Sequence, residues 1–266
     1  MTTRLEKTMK SLHEAGKKGL FIYITAGAPD AETTLEAVRT AEKAGANVIE
    51  LGIPFSDPMA DGPVIQAAAV QAIRGGMTVR GVLELVRRIR SFSDIPLVGM
   101  GYINNMLNYG FEKFVQDAKT AGMDGLILPD VPHEESAELR AVCTANDFHL
   151  VEFVTPNTTP ERMQKTCASA SGFVYCVSVN GVTGVRKIDY TPIGRVAELV
   201  RRTTRVPLAV GFGIGSPEAA VEAAAHADAV IVGSAVVKRL MEHQTEEAAA
   251  LIVSMRHALD QCLDVS

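Results

Sequence analysis

The chain reads as an α/β protein, a (β/α)8 TIM barrel with an extra N-terminal helix, and three observations predict this. Eight short apolar runs alternate with amphipathic segments of helical period along the 266 residues. That alternation implies parallel strands joined by right-handed helical crossovers. The runs are almost continuously apolar, as expected of strands buried on both faces. Finally, the turn after the first strand reads AGAPD over residues 26–30 and lacks the GxGxxG fingerprint of an open dinucleotide-binding sheet. An open doubly wound sheet is the alternative, and eight units close more naturally into a barrel.

Residues 2–16 form the leading helix, with Leu5, Met9 and Leu12 at helical spacing. Residues 19–25 are a strand rich in aromatic and β-branched side chains, ended by Ala26 and Gly27. Pro29 and Asp30 open a helix with Leu35, Val38, Ala41 and Ala44 on one face, stopped by Gly45. The second strand is 48–51. A long loop follows, and then a helical region over 64–90, interrupted near Gly75 and Gly76.

The unit then repeats, with strands at 96–100, 125–128, 149–154, 172–177, 207–210 and 229–232. Helices at 111–121, 134–146, 160–168, 192–203 and 217–225 follow the first five of these, and 235–263 is largely helical. No Pro/Gly/Ser-rich linker divides the chain, so residues 1–266 are read as one barrel domain.

Composition excludes several functions. A net charge of -5 offers no basic footprint for nucleic acid or an anionic membrane. Apolar runs are short and interrupted by charge, which argues against a membrane span. The first 18 residues lack the apolar core of a signal peptide, so a cytoplasmic location is expected. Cys143, Cys167, Cys176 and Cys262 form no CxxC pair and show no zinc spacing. The six histidines are scattered, and no metal is expected. No GxSxG elbow appears, and no lysine lies on a strand to form a Schiff base.

Chemistry in a barrel belongs at the C-terminal ends of the strands. Glu50 is a lone acid within an apolar strand, and a buried carboxyl is costly unless it is used or paired. Asp61 lies in the stiff loop that follows, Asp130 after the fourth strand, and Tyr175 near the end of the sixth; Tyr102 and Asn104 follow the third. The seventh and eighth turns carry GFGIGS over 211–216 and the pair Gly233-Ser234. Barrels often bind phosphate there through backbone N–H groups, to which glycines give close access. The long sixth turn, with Gly181 and Gly184 around Val182 and Thr183, looks like a lid that excludes water.

Residues 50–63, ELGIPFSDPMADGP, closely resemble the signature of the tryptophan synthase alpha chain family. Residues 130–136 (DVPHEES), 181–184 (GVTG), 211–215 (GFGIG) and 232–234 (VGS) support the resemblance, in order, over nearly the whole chain. It implies retro-aldol cleavage of indole-3-glycerol phosphate to indole and glyceraldehyde 3-phosphate, with no cofactor of the chain's own. By resemblance, Glu50 is the catalytic acid/base and Asp61 binds the indole N–H. Tyr175 is an active-site tyrosine and Thr183 the lid threonine. Gly184, Gly213, Gly233 and Ser234 hold the phosphate, and Phe212, Tyr102 and Ile231 line the indole pocket.

The family further implies a β-chain partner carrying pyridoxal phosphate, in an α2β2 complex, met by Pro54, Asp57, Asn104, Asn108 and the loop near Pro132. Three positions depart from the family pattern. Val179, followed by Asn180, stands where Arg is common; Met59 replaces Leu; and Tyr23 stands where Phe is often seen, adding a hydroxyl near the pocket. Another phosphate-binding barrel enzyme, a non-catalytic activator of the β chain, and a stand-alone indole-releasing lyase are the rival readings.

Overall fold

A computed structural model describes residues 2–177 and 189–261. Its eight strands are β1 (Gly19–Thr25), β2 (Val48–Gly52), β3 (Leu97–Met100), β4 (Gly125–Ile127), β5 (His149–Val154), β6 (Val174–Val177), β7 (Leu208–Gly211) and β8 (Ala229–Val232). They pair in parallel, in chain order, and β8 returns to β1 to close the barrel. The predicted fold is the observed one.

The helices are α1 (Arg4–Glu14), α2 (Ala31–Lys43), α3 (Pro63–Arg74), α4 (Val79–Arg90), α5 (Ile103–Tyr109), α6 (Phe111–Ala121), α7 (Ala137–Ala145), α8 (Pro160–Ala168), α9 (Thr191–Thr203), α10 (Pro217–Ala224), α11 (Ser234–Met241) and α12 (Thr245–Gln261). The break expected at Gly75 and Gly76 separates α3 from α4; Gly76 takes φ +86, a conformation open to glycine. Helix α5 was not expected: its seven residues are shorter than the run over which a period is distinct, and its cap comes from another loop. The segment read as a helix over 134–146 starts instead as a 3-10 turn, His133–Glu135, ahead of α7. The last helical stretch divides at His243, which takes φ 57.

Two layers of core follow from the period-two alternation of the strands. Ile22, Ile24, Ile49 and Leu51 point outward and pack with Leu35, Val38, Leu83 and Val86 of the helices. Phe21, Val48, Val98, Ile127, Val151, Tyr175, Ala209, Ala229 and Ile231 fill the inside.

Helix α1 closes the lower end of the barrel, where the strands begin. Leu5 and Met9 join the inner cluster. Thr3 Oγ1 lies 2.9 Å from His149 Nε2, at the start of β5. Thr3 also caps α1, accepting from Glu6 N while Glu6 accepts from Thr3 N. With the bottom plugged, the open mouth lies at the C-terminal ends of the strands.

Candidate active site

Strand β2 turns Val48 and Glu50 inward, and its register sets Glu50 between Tyr23 of β1 and Val98 of β3. Glu50 is 1% exposed, and among the described residues neither of its oxygens has a hydrogen-bond partner. Burial alone raises its pKa to about 8. A carboxyl held this way is protonated at neutral pH and close to releasing its proton, as a general acid requires.

The loop after β2 is fastened at three points. Asn105 of α5 donates to the Pro54 carbonyl at 3.0 Å, and the Tyr102 hydroxyl accepts from Ala60 N at 3.1 Å. The Gln66 amide of α3 donates to the Asp61 carbonyl at 2.8 Å. The Phe55 and Tyr102 rings stack with centroids 5.2 Å apart. These contacts hold Asp61 at the mouth, 9% exposed. Burial raises its pKa, and a hydrogen bond from Tyr102 works against that rise.

Asp130 has a structural use. Both of its carboxylate oxygens accept from Ile103 N, at 3.1 and 3.0 Å, so it caps α5 from the neighbouring loop. Asn105 and Gln66 escaped the sequence reading, because an amide that braces a distant loop leaves no local pattern.

Tyr175 projects from β6 on the inner side, with its ring 5.1 Å from that of Phe153. Gly211 of β7 makes its position possible: a Cβ there would overlap the Tyr175 hydroxyl. The Tyr175 pKa is raised well above its usual value by burial first, then by Glu50, Asp61 and Tyr23. These four residues therefore share one electrostatic field.

Beyond β7, Phe212 and Gly213 take successive left-handed conformations, φ 80 and φ 74. Phe212 is 39% exposed at the rim. Gly233 precedes α11 without a side-chain cap, and its carbonyl accepts from Val236 N and Val237 N. The amides of Ser234 and Ala235 have no acceptor within the helix, which leaves donors for an anion. Helix α10, by contrast, is capped by its own Ser216. Ile231 lies inside the barrel on β8, 4% exposed. Thr183 and Gly184, with the rest of the expected lid, lie outside the described residues.

The positions expected at a partner surface ring the same mouth. Asp57, Asn104, Asn108 and Pro132 are exposed, and Pro54 is half-buried. Met59 and Leu107, at 80% and 59% exposed, stand among them. A partly buried ion pair anchors the loop bearing Pro132: Arg140 donates to Glu152 at 2.8 Å, to Ser136 at 2.8 Å and to Ser169 at 2.7 Å, and His133 lies against the same pair. Among the described residues no cluster of His, Cys, Asp or Glu is placed to hold a metal, and no helix is long and apolar enough to cross a membrane.

A closed barrel with a buried, partnerless carboxyl on β2, a second acid on the loop that follows β2 and helix amides without intrahelical acceptors after β8 has the parts of an acid–base barrel enzyme. The family model for the tryptophan synthase alpha chain matches residues 9–261. The chain belongs to that family.

It is 46% identical over 264 residues to the tryptophan synthase alpha chain of Alkalilimnicola ehrlichii, covering 97% of this chain and 96% of that one. It is 42% identical to that of Caldanaerobacter subterraneus over 261 residues, 96% and 99% of the two chains. Among solved structures it is similar to the tryptophan synthase subunit alpha of Legionella pneumophila, with a TM-score of 0.90, 37% identity, and 98% and 100% of the chains covered. It is also similar to Mycobacterium tuberculosis tryptophan synthase, with a TM-score of 0.90, 34% identity, and 97% and 99% covered.

Proposed function

We propose that this site cleaves indole-3-glycerol phosphate to indole and glyceraldehyde 3-phosphate. Glu50 carries the acid–base work, Asp61 holds the indole N–H, and the amides around Gly213, Gly233 and Ser234 hold the phosphate. The observation that carries the reading is the Glu50 carboxyl, buried without a hydrogen-bond partner, in a chain of this family.

The proton balance fits one shuttling carboxyl. Protonated Glu50 gives its proton to indole C3, which turns the ring into an electron acceptor. The resulting carboxylate takes the proton of the glycerol hydroxyl next to the ring as the C–C bond breaks and the aldehyde forms. Glu50 thus ends as it began, and no redox step or cofactor of this chain's own is required. Asp61, as an anion, stabilises positive charge developing on the ring nitrogen. Tyr175 and Ile231 shape the inner wall, and Phe212 and Tyr102 the rim. Thr183 and Gly184 belong to the lid in this reading.

The chain further works in the cytoplasm with a pyridoxal-phosphate β chain, as an α2β2 complex, through Pro54, Asp57, Asn104, Asn108 and Pro132. Two large apolar side chains exposed among them, Met59 and Leu107, support a docking face.

The test is indole release from indole-3-glycerol phosphate by the purified chain, with and without a tryptophan synthase β chain. Slow release that rises greatly with the β chain and falls by about 10²–10⁴-fold in Glu50→Gln is the expected result. No indole under either condition would overturn the reading.

A further inference from the structure

A second buried polar group at the barrel mouth has no role in the reaction as derived above. Tyr23 follows Phe21 on the inner side of β1 and is 6% exposed. Its Cα pairs with that of Glu50 on β2. Its ring climbs toward the mouth and sets the hydroxyl where the side chain of residue 52 would stand: a Cβ on Gly52 would overlap the Tyr23 oxygen. Gly52 lies two residues past Glu50 on the same strand, on the same face. The hydroxyl therefore sits one inward position beyond Glu50, on the mouth side of the same strand face.

Thr25 steadies it from the next inward position of β1. Its Oγ1 donates to the Tyr23 hydroxyl at 3.4 Å, a long contact. The Tyr23 oxygen thus accepts, while among the described residues the proton it carries has no acceptor. On the paired position of β2, both Glu50 oxygens are buried with no donor. A buried donor without an acceptor and a buried acceptor without a donor, on paired strand positions, are complementary.

The other polar groups facing this space are Asp61 from the loop after β2, Tyr102 after β3 and Tyr175 from β6. Tyr102 is engaged with Ala60 N and Asp61. The third wall, Ile65 of α3 and Gly233 before α11, has no charge.

Resting on the proposed role of Glu50, we infer that Tyr23 is a positioning residue for the cleavage reaction: its hydroxyl, lodged in the notch at Gly52, donates to the Glu50 carboxylate formed when Glu50 gives up its proton. The hydrogen bond strengthens as the charge appears, so it offsets part of what ionisation in an apolar strand costs. It also holds the carboxylate in place for the second proton transfer.

The test compares Tyr23→Phe, which removes only the oxygen, with the parent. Two readouts are followed across pH: kcat and KM for indole-3-glycerol phosphate, and the infrared carbonyl band of the protonated Glu50 carboxyl, identified as the band that Glu50→Gln abolishes. Removing a donor to the charged form should raise the pH at which the band disappears by about one unit. The high-pH limb of kcat should move with it and kcat at neutral pH should fall several-fold, with KM unchanged within about twofold.

Gly52→Ala keeps the hydroxyl and denies it the notch, so it should shift the band in the same sense; it carries the test if Tyr23→Phe fails to fold. An unshifted band, or a change confined to KM, would overturn the inference. Full turnover by Glu50→Gln would instead overturn the reading of the site itself, so the two failures are distinguishable.

Discussion

At the scale of single residues, the chemistry rests on how far burial moves a proton. Glu50 has its pKa raised from 4.5 to about 8. Between those values the unfolded chain has released this proton and the folded chain has kept it. Rising pH therefore lowers stability across that window, and the loss is complete above about 8. Glu50→Gln should accordingly melt higher than the parent at pH 8 and equal to it below pH 4.5, as read by thermal melts at both pH values.

The same variant should lose turnover by about 10²–10⁴-fold, the usual worth of a general acid–base group. In the parent, kcat/KM should fall above about pH 8, as free Glu50 loses the proton it must give to C3. Asp61→Asn keeps size and hydrogen-bonding capacity but removes the charge. It should cost about 10²-fold or more in kcat, with a smaller effect on KM, because the charge matters most when the ring nitrogen turns positive.

At the scale of elements, the site is held by short connections between neighbouring loops. Helix α5 is only seven residues long, below the length at which a helix is stable alone. Asp130 caps it from the loop after β4, and Asn105 on it grips the loop that carries Asp61. Asp130→Ala should therefore cost about 1 kcal/mol of stability. Its signature would be local: faster amide exchange at Ile103 and through α5, with exchange in β2 unchanged. If Asp130 acted in catalysis directly, kcat would collapse with α5 exchange unaltered.

At the scale of the whole molecule, the most deeply buried ion pair among the described residues lies at the end of the barrel away from the catalytic acid. Below β4, Arg90 and Asp124 form an ion pair at 3.0 Å, with side chains 10% and 3% exposed. Asp124 also accepts from Leu97 N, and Arg90 donates to three backbone carbonyls. Burial lowers the Arg90 pKa to about 10, so its guanidinium is charged at neutral pH. Asp124→Ala strands a buried guanidinium and should cost about 3–5 kcal/mol. Because this pair lies at the plugged end, kcat should be unchanged at temperatures where the variant is folded. A loss of kcat with intact stability would contradict a purely structural role for this pair.

The barrel was legible along the chain because apolar strands and amphipathic helices are written in local period, and eight repeats leave little choice of closure. Glu50 was legible as well, since one carboxyl in an apolar strand is anomalous wherever it folds. So were the glycines at 211, 213 and 233, which stand at the ends of strands and the start of a helix around the mouth. The cap that Asp130 gives α5, the grip of Asn105 on Pro54, and the seats that Gly52 and Gly211 provide for Tyr23 and Tyr175 were not legible. Each joins residues from different strands or loops, and a sequence displays neighbours along the chain but not across the barrel. The sequence by itself determined the fold, the family and the acid at its centre. Only the tertiary structure decided that this acid is buried without a partner, because solvation and hydrogen bonding are set by what the closed barrel brings around a side chain.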